Sequence, residues 1–222
     1  MFCAVFDLDD TLYLERAYVQ SGFQAAGAWA ERELGVRDFS QRAWREFERG
    51  CRGDIFNRVL AFYGFPKGYA LPELVRAYRS HTPSIALLPD AAHCLSALRP
   101  HGYLAMITDG AVDSQQNKVR ALGLDRTMDL VVLTAAWGLD FSKPNPTAFA
   151  YVQQQFAVPP ECCAYIGDNP VKDFITPRGL GWRTVRVRRE GGLHCDRNAR
   201  AGYDAEREFV DLSHVPAMLL SR

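Results

Sequence analysis

Three apolar runs, Phe2–Phe6, Tyr103–Ile107 and Cys163–Gly167, are each followed at once by a polar side chain: Asp7, Thr108 and Asp168. Runs this short, separated by segments of helical periodicity, read as strands buried on both faces of a parallel sheet. The carboxyl ends of the strands of an open parallel sheet face one crevice, where ligands bind. Asp7, Asp9 beyond it, Thr108 and Asp168 are therefore expected to meet there, joined by the ammonium of Lys143. Acids, a hydroxyl and an ammonium at one place are the equipment for moving a phosphoryl group.

The residue types bear this out chemically. Asp7 and Asp9 repel each other, so one must be neutralised by a cation or hold a proton. Asp168 adds a third carboxylate and makes a hard oxygen site of the kind Mg²⁺ takes together with phosphate oxygens. A divalent ion there neutralises both the carboxylates and an incoming phosphate. Thr108 can donate a hydrogen bond to a phosphate oxygen, and Lys143 can act on it as a point charge.

The ordered set Asp7-Leu8-Asp9-Asp10-Thr11, Thr108, Lys143-Pro144 and Gly167-Asp168 with Asp173 resembles the haloacid dehalogenase superfamily, in its phosphatase branch. Each element alone is a weak signal, but the four in order are specific. The resemblance implies an α/β fold, a three-layer, doubly wound parallel sheet of Rossmann-like type, with Mg²⁺ and a phospho-aspartyl intermediate. Carried onto these residues, it makes Asp7 the nucleophile. Asp9 is the acid that protonates the leaving oxygen and then the base on the hydrolytic water. The metal ligands are Asp7, Asp168 and the backbone carbonyl of Asp9. Thr108 and Lys143 hold the phosphoryl group. Asp173 supports the metal from behind and orients Lys143. Asp109 stands where Asn is frequent and joins Thr108 and Lys143 as a phosphate-binding candidate. Asn145 follows Lys143-Pro144 where an acid is frequent.

Residues 15–85 carry helical periodicity only. Tyr18, Gly22, Ala25, Ala26 and Trp29 share a helical spacing that stops at Gly35. Ser40 and Asp54 read as N-caps of two further helices, and Leu71–Tyr78 as a fourth. The expected organisation is an α/β core of residues 1–14 and 86–222, with an all-helical cap of residues 15–85 inserted after the first motif. Within the core, Asp90 reads as a helix cap, Pro170 as the opening of a helix, Thr184–Val187 as a fifth strand and 189–205 as a loop.

Lys and Arg number 26, as do Asp and Glu, so no net charge draws the chain to nucleic acid or membrane. The first residues lack a basic leader segment and already contain Asp7, so no cleaved signal peptide is expected, and the location is read as cytoplasmic. Six scattered cysteines without a Cys-x-x-Cys spacing indicate neither zinc nor a redox motif and read as reduced thiols. The expected function is Mg²⁺-dependent hydrolysis of a small phosphorylated metabolite, a nucleoside monophosphate or a sugar phosphate. Residues 15–85 hold 11 Lys and Arg against 8 Asp and Glu, a mildly basic lid suited to an anion; Arg52 and Arg58 are its substrate candidates. Three alternatives stand beside it. A phosphomutase would use the same site, and a 2-haloacid dehalogenase would share Asp7 but have no need of an acid at Asp9. An inactive relative acting as a binding module would have lost at least one of Asp7, Asp9, Lys143 or Asp168. The oligomeric state is left open.

Overall fold

The computed structural model describes residues 1–221. In chain order the first part runs β1 (Phe2–Phe6), α1 (Glu15–Leu34), α2 (Phe39–Glu48), α3 (Ile55–Phe62), α4 (Leu71–Ser80) and α5 (Pro89–Leu98). Next come β2 (Gly102–Thr108), α6 (Val112–Ala121), α7 (Leu124–Thr127), β3 (Leu130–Leu133), α8 (Thr147–Phe156) and β4 (Cys163–Gly167). The chain continues through α9 (Ile175–Gly179), β5 (Arg183–Val187), β6 (Arg207–Phe209) and α10 (Val215–Leu220). It forms two compact units: Met1–Arg16 with the chain from Ala86 onward, and Ala17–Ile85.

The first unit is a six-stranded sheet in the order β3-β2-β1-β4-β5-β6, every pair parallel, with helices on both faces. β1 lies between β2 and β4, with Phe6 opposite both Met106 and Ile166. The three strands that carry Asp7, Thr108 and Asp168 are thus neighbours. β4 is buried along its whole length, and β1 is buried from Cys3 on. Val5, Ile107, Phe149, Tyr165 and Phe174 belong to one apolar cluster on this sheet. Gly102 begins β2 against β1 so closely that a Cβ there would lie 2.2 Å from the Phe2 carbonyl oxygen. The backbone amide of Leu88 donates to the Leu12 carbonyl at 3.0 Å, tying together the chain on either side of the helical residues.

The second unit is helical throughout and built on aromatic packing. The Phe23 ring meets Phe47, Phe56 and Tyr78 at 5.8–6.2 Å between centroids, and Phe39 meets Phe56 at 5.6 Å. Such edge and tilted pairs add to the burial of the rings. Gly22 gives the Tyr78 ring its place, since a Cβ there would lie 2.4 Å from it. Gly35, Gly50 and Gly64 follow helix ends with positive φ, the conformation glycine adopts without steric cost.

Several local expectations need correction. A sixth strand, β6, pairs beyond β5; of its three residues two are charged, and it lacks an apolar run. Pro170 does not open a helix. The Asn169 side-chain oxygen accepts from the Val171 amide, a turn forms, and α9 begins only at Ile175. Asp90 lies within the first turn of α5, and its carboxylate accepts from Arg189 and the Leu212 amide instead of capping. Asp38, and not Ser40, precedes α2. The six cysteines are unpaired, three of them fully buried.

Candidate active site

At the carboxyl ends of β1, β2 and β4 a cavity of about 250 Å³ opens, lined by Asp7, Asp9, Thr108, Asp109 and Asp168. Glu15, Gly110, Asn169, Lys172 and His194 complete its wall. The Asp7 amide still donates to Ile166 at 2.8 Å, so its side chain leaves the sheet from fixed backbone. Lys143 comes from the loop before α8, just after a single 3-10 turn at Leu139–Phe141. Its fully buried ammonium reaches Asp7 Oδ1 at 2.6 Å, Asp173 Oδ1 at 2.9 Å and the Tyr165 hydroxyl at 2.7 Å. Asp173 is in turn held by the Asn169 amide on Oδ2, at 2.9 Å. Gly167 makes room for it: a Cβ there would stand 2.5 Å from Asp173 Oδ2.

Oxygens of Asp7, Asp168 and Asp173 lie within 4.8 Å of one another, a set that could hold a metal ion. Burial pushes the Asp7 carboxyl up to about 6 against the pull of Lys143, with Asp173 adding to the rise. Asp168 is raised well above the usual carboxylate range, by burial first and then by the charges of Asp173, Asp7 and Asp10. Ionising all three carboxylates around one buried lysine is therefore unfavourable, the condition that a divalent cation relieves.

The expected metal ligands are the carboxylates of Asp7 and Asp168 and the backbone carbonyl of Asp9, a role that does not call on the Asp9 side chain. In the structure Asp173 joins the cluster directly, and the Asp9 side chain turns away from it. Lys118 Nζ donates to the two Asp9 oxygens at 2.8 and 2.9 Å, Gln115 Nε2 to Oδ2 at 3.0 Å, and the Tyr13 hydroxyl to Oδ1. Burial alone would raise the Asp9 carboxyl, but Lys118 and the other donors together hold it below the usual range.

Thr108 is buried at the end of β2, and its Oγ1 accepts from Gln115 Nε2 at 2.7 Å. The Asp109 carboxylate, in the same cavity wall, is engaged by protein groups. Oδ1 accepts from Thr134 at 2.8 Å and from the Lys143 amide at 3.1 Å, and Oδ2 from Lys172 Nζ at 2.7 Å. An anion so placed fixes the backbone of Lys143 and would itself repel a phosphate. Arg52 and Arg58 belong to the helical unit. The Arg52 guanidinium lies 4.0 Å from the Phe47 ring centroid and donates to the Phe47 and Cys51 carbonyls. Arg58 lies 3.6 Å from Glu46 and 3.9 Å from Asp54.

Sequence reasoning passed over Tyr13, Glu15, Gln115, Lys118, Lys172 and His194. Gln115 and Lys118 had one available signal, a spacing of three on the helix directly after Thr108. Lys172 had its adjacency to Asp173. His194 had none, because it comes from the loop after β5. There the Asn169 side-chain Nδ2 donates to Nε2 at 3.0 Å, and Nδ1 is buried without a partner. Burial, with Arg197 and Lys172, pushes this imidazole down to about 4, so it is neutral near pH 7. Glu15 is pushed up to about 8, by burial first and then by Asp9.

Among the described residues, no helix is long and apolar enough to cross a membrane. Residues 3–181 match the family model of haloacid dehalogenase-like hydrolases. A phosphoserine phosphatase of Thermus thermophilus is 32% identical over 175 residues, covering 78% of this chain and 61% of the relative. A glyceraldehyde 3-phosphate phosphatase of Methanocaldococcus jannaschii is 28% identical over 202 residues, 82% of this chain and 83% of the relative. Dehalogenases stand among the similar proteins as well. The putative hydrolase YfnB of Bacillus subtilis, solved bound to magnesium, superposes with a TM-score of 0.72 at 20% identity, covering 99% of each chain. With a family match over most of the chain, a parallel sheet of the same fold and the four motifs gathered at its strand ends, the chain belongs to the haloacid dehalogenase-like hydrolases.

Proposed function

We propose that the chain is a Mg²⁺-dependent phosphomonoesterase of small phosphorylated metabolites, working through a phospho-aspartyl intermediate on Asp7. The observation that carries this reading is the Asp7 carboxylate, paired at 2.6 Å with a buried lysine beside Thr108 and Asp168 in one cavity. Asp7 attacks phosphorus, the bond to the ester oxygen breaks, and that oxygen takes a proton from Asp9. Water then attacks the phospho-aspartate, Asp9 accepts its proton, and inorganic phosphate leaves. A carboxylate nucleophile thus divides one hard step into two. Lys143 and Thr108 offset the charge on the transferring oxygens, and positioning does most of the rest. Asp9 starts as a carboxylate against Lys118, and the approach of a phosphate dianion favours its protonated form.

Asp7, Asp168 and Asp173, with the backbone carbonyl of Asp9, would hold Mg²⁺; the donors are hard oxygens, and Asp7 and Asp173 share a single buried lysine. When bound, the ion neutralises the carboxylates and the phosphate together. The helical residues 17–85 would act as the cap that selects the alcohol part of the ester, with Arg52 and Arg58 as contacts. Their excess of basic residues supports an anionic metabolite such as a nucleoside monophosphate or a sugar phosphate. Dehalogenation fits less well, because halide departs without a proton and leaves Asp9 with no leaving group to protonate. A mutase would use the same groups and differ in the fate of the phospho-enzyme. The location proposed is cytoplasmic.

The test is a panel of phosphate esters, with 2-chloropropionate included, read by released phosphate or chloride. Phosphate release that stops with EDTA and returns with Mg²⁺ is expected. Chloride release without phosphate release would establish the dehalogenase reading, and isomerisation of a hexose phosphate without phosphate release the mutase reading.

A further inference from the structure

Asp9 is held from three directions, two of them from one helix. Gln115 and Lys118 lie one turn apart on α6 and face the loop after β1. Lys118 reaches both oxygens of the carboxylate. The orientation of the Gln115 amide follows from its neighbours: Asp9 Oδ2 and the Asp109 carbonyl can only accept, so the nitrogen faces them. The same nitrogen lies 2.7 Å from Thr108 Oγ1. With that donor on its oxygen, the Thr108 hydroxyl directs its hydrogen to the Asp109 carbonyl at 3.5 Å, a long contact that a phosphoryl oxygen can replace.

Both side chains are buried, Gln115 at 1% exposure and Lys118 at 4%, and the Gln115 carbonyl oxygen has no partner. Stability alone gives no reason to bury a lysine and an incompletely satisfied amide where an apolar pair would pack. We infer that Gln115 and Lys118 are positioning residues of the reaction. They fix the Asp9 carboxylate away from the Asp7–Asp168–Asp173 cluster and hold it in register with Thr108. Released from Lys118, Asp9 could rotate toward the cluster and become a fourth carboxylate there, unable to serve the ester oxygen. The inference rests on the phosphatase reading, since it assigns what Asp9 does in it.

The experiment is a double-mutant cycle on the full chain with p-nitrophenyl phosphate and Mg²⁺, comparing Asp9→Asn, Lys118→Met and the two combined. Lys118→Met is expected to lower kcat by about 10²-fold, the scale of a misplaced catalytic group, with KM little changed. Because Lys118 acts through Asp9, the combined variant should be no slower than Asp9→Asn, within about twofold. Lys118→Arg should recover part of the loss. Should Lys118→Met fail to fold by melting, the combined variant, which carries neither charge, still decides against Asp9→Asn alone. Losses that multiply in the combined variant, or Lys118→Met at wild-type kcat, would overturn the inference while leaving the phosphatase reading standing. A wild-type chain that releases no phosphate from any ester removes that reading and this inference with it.

Discussion

The two units put polar groups to opposite uses. In the α/β unit Asp7, Asp10, Asp168, Asp173, Lys118 and Lys143 are all buried. Among the described residues of the helical unit Ser21 is the one buried polar side chain, satisfied by the Ser84 amide at 2.9 Å and His81 Nε2 at 3.0 Å. Its interior is otherwise apolar, with Phe23, Phe39, Phe47 and Phe56 packed ring against ring. Buried ions in pairs contribute little net stability and are costly once a partner is lost. Their concentration in one unit therefore marks chemistry, whereas the aromatic interior marks packing.

Mutations can break this comparison. The largest effect is expected from Asp7→Asn, nearly isosteric, which should lower kcat by on the order of 10⁶-fold, as for other nucleophiles. Its unfolding midpoint should stay close to wild type or rise, because a crowded carboxylate is removed. A variant that keeps wild-type turnover would remove Asp7 as nucleophile. Next comes Phe39→Ala in the helical unit. With a side chain of 0% exposure, it should cost about 3–5 kcal/mol in urea unfolding, the usual range for a buried phenylalanine. A loss below about 1 kcal/mol would show that this unit does not depend on its ring packing. The smallest effect is expected from Arg58→Ala, whose ion pairs are largely exposed. Stability should move by no more than about 0.5 kcal/mol. KM should rise with kcat unchanged if Arg58 meets substrate; an unchanged KM on every ester of the panel would strike it from the contacts.

How far the sequence could be read divides along the same line. β1, β2 and β4 were legible because strands buried on both faces must be apolar throughout, and a polar residue at the end of such a run is conspicuous. α1 was legible from its period and from Gly35. β6 was not, because Arg207-Glu208-Phe209 at a sheet edge carries no apolar signature. Lys118 and Gln115 were passed over because a polar residue on a helix ordinarily faces water, and only the tertiary fold reveals that these two turn inward. Asp109 shares the cavity with Thr108, but adjacency in sequence could not reveal that its carboxylate is engaged by protein groups from distant segments rather than left open. Its carboxylate meets Thr134, Lys143 and Lys172 instead.

The Leu88–Leu12 hydrogen bond bears on how such a chain can change over evolutionary time. It closes the path of the α/β unit on itself, so the residues between form, from the viewpoint of the sheet, one long loop whose ends already meet. The entropy of closing a loop grows only with the logarithm of its length. Inserting, enlarging or exchanging the helical residues therefore costs the α/β unit little, and none of its carboxylates loses a neighbour in sequence. A family built on this plan can diversify one part of its polypeptide freely while the part that handles the phosphoryl group stays fixed.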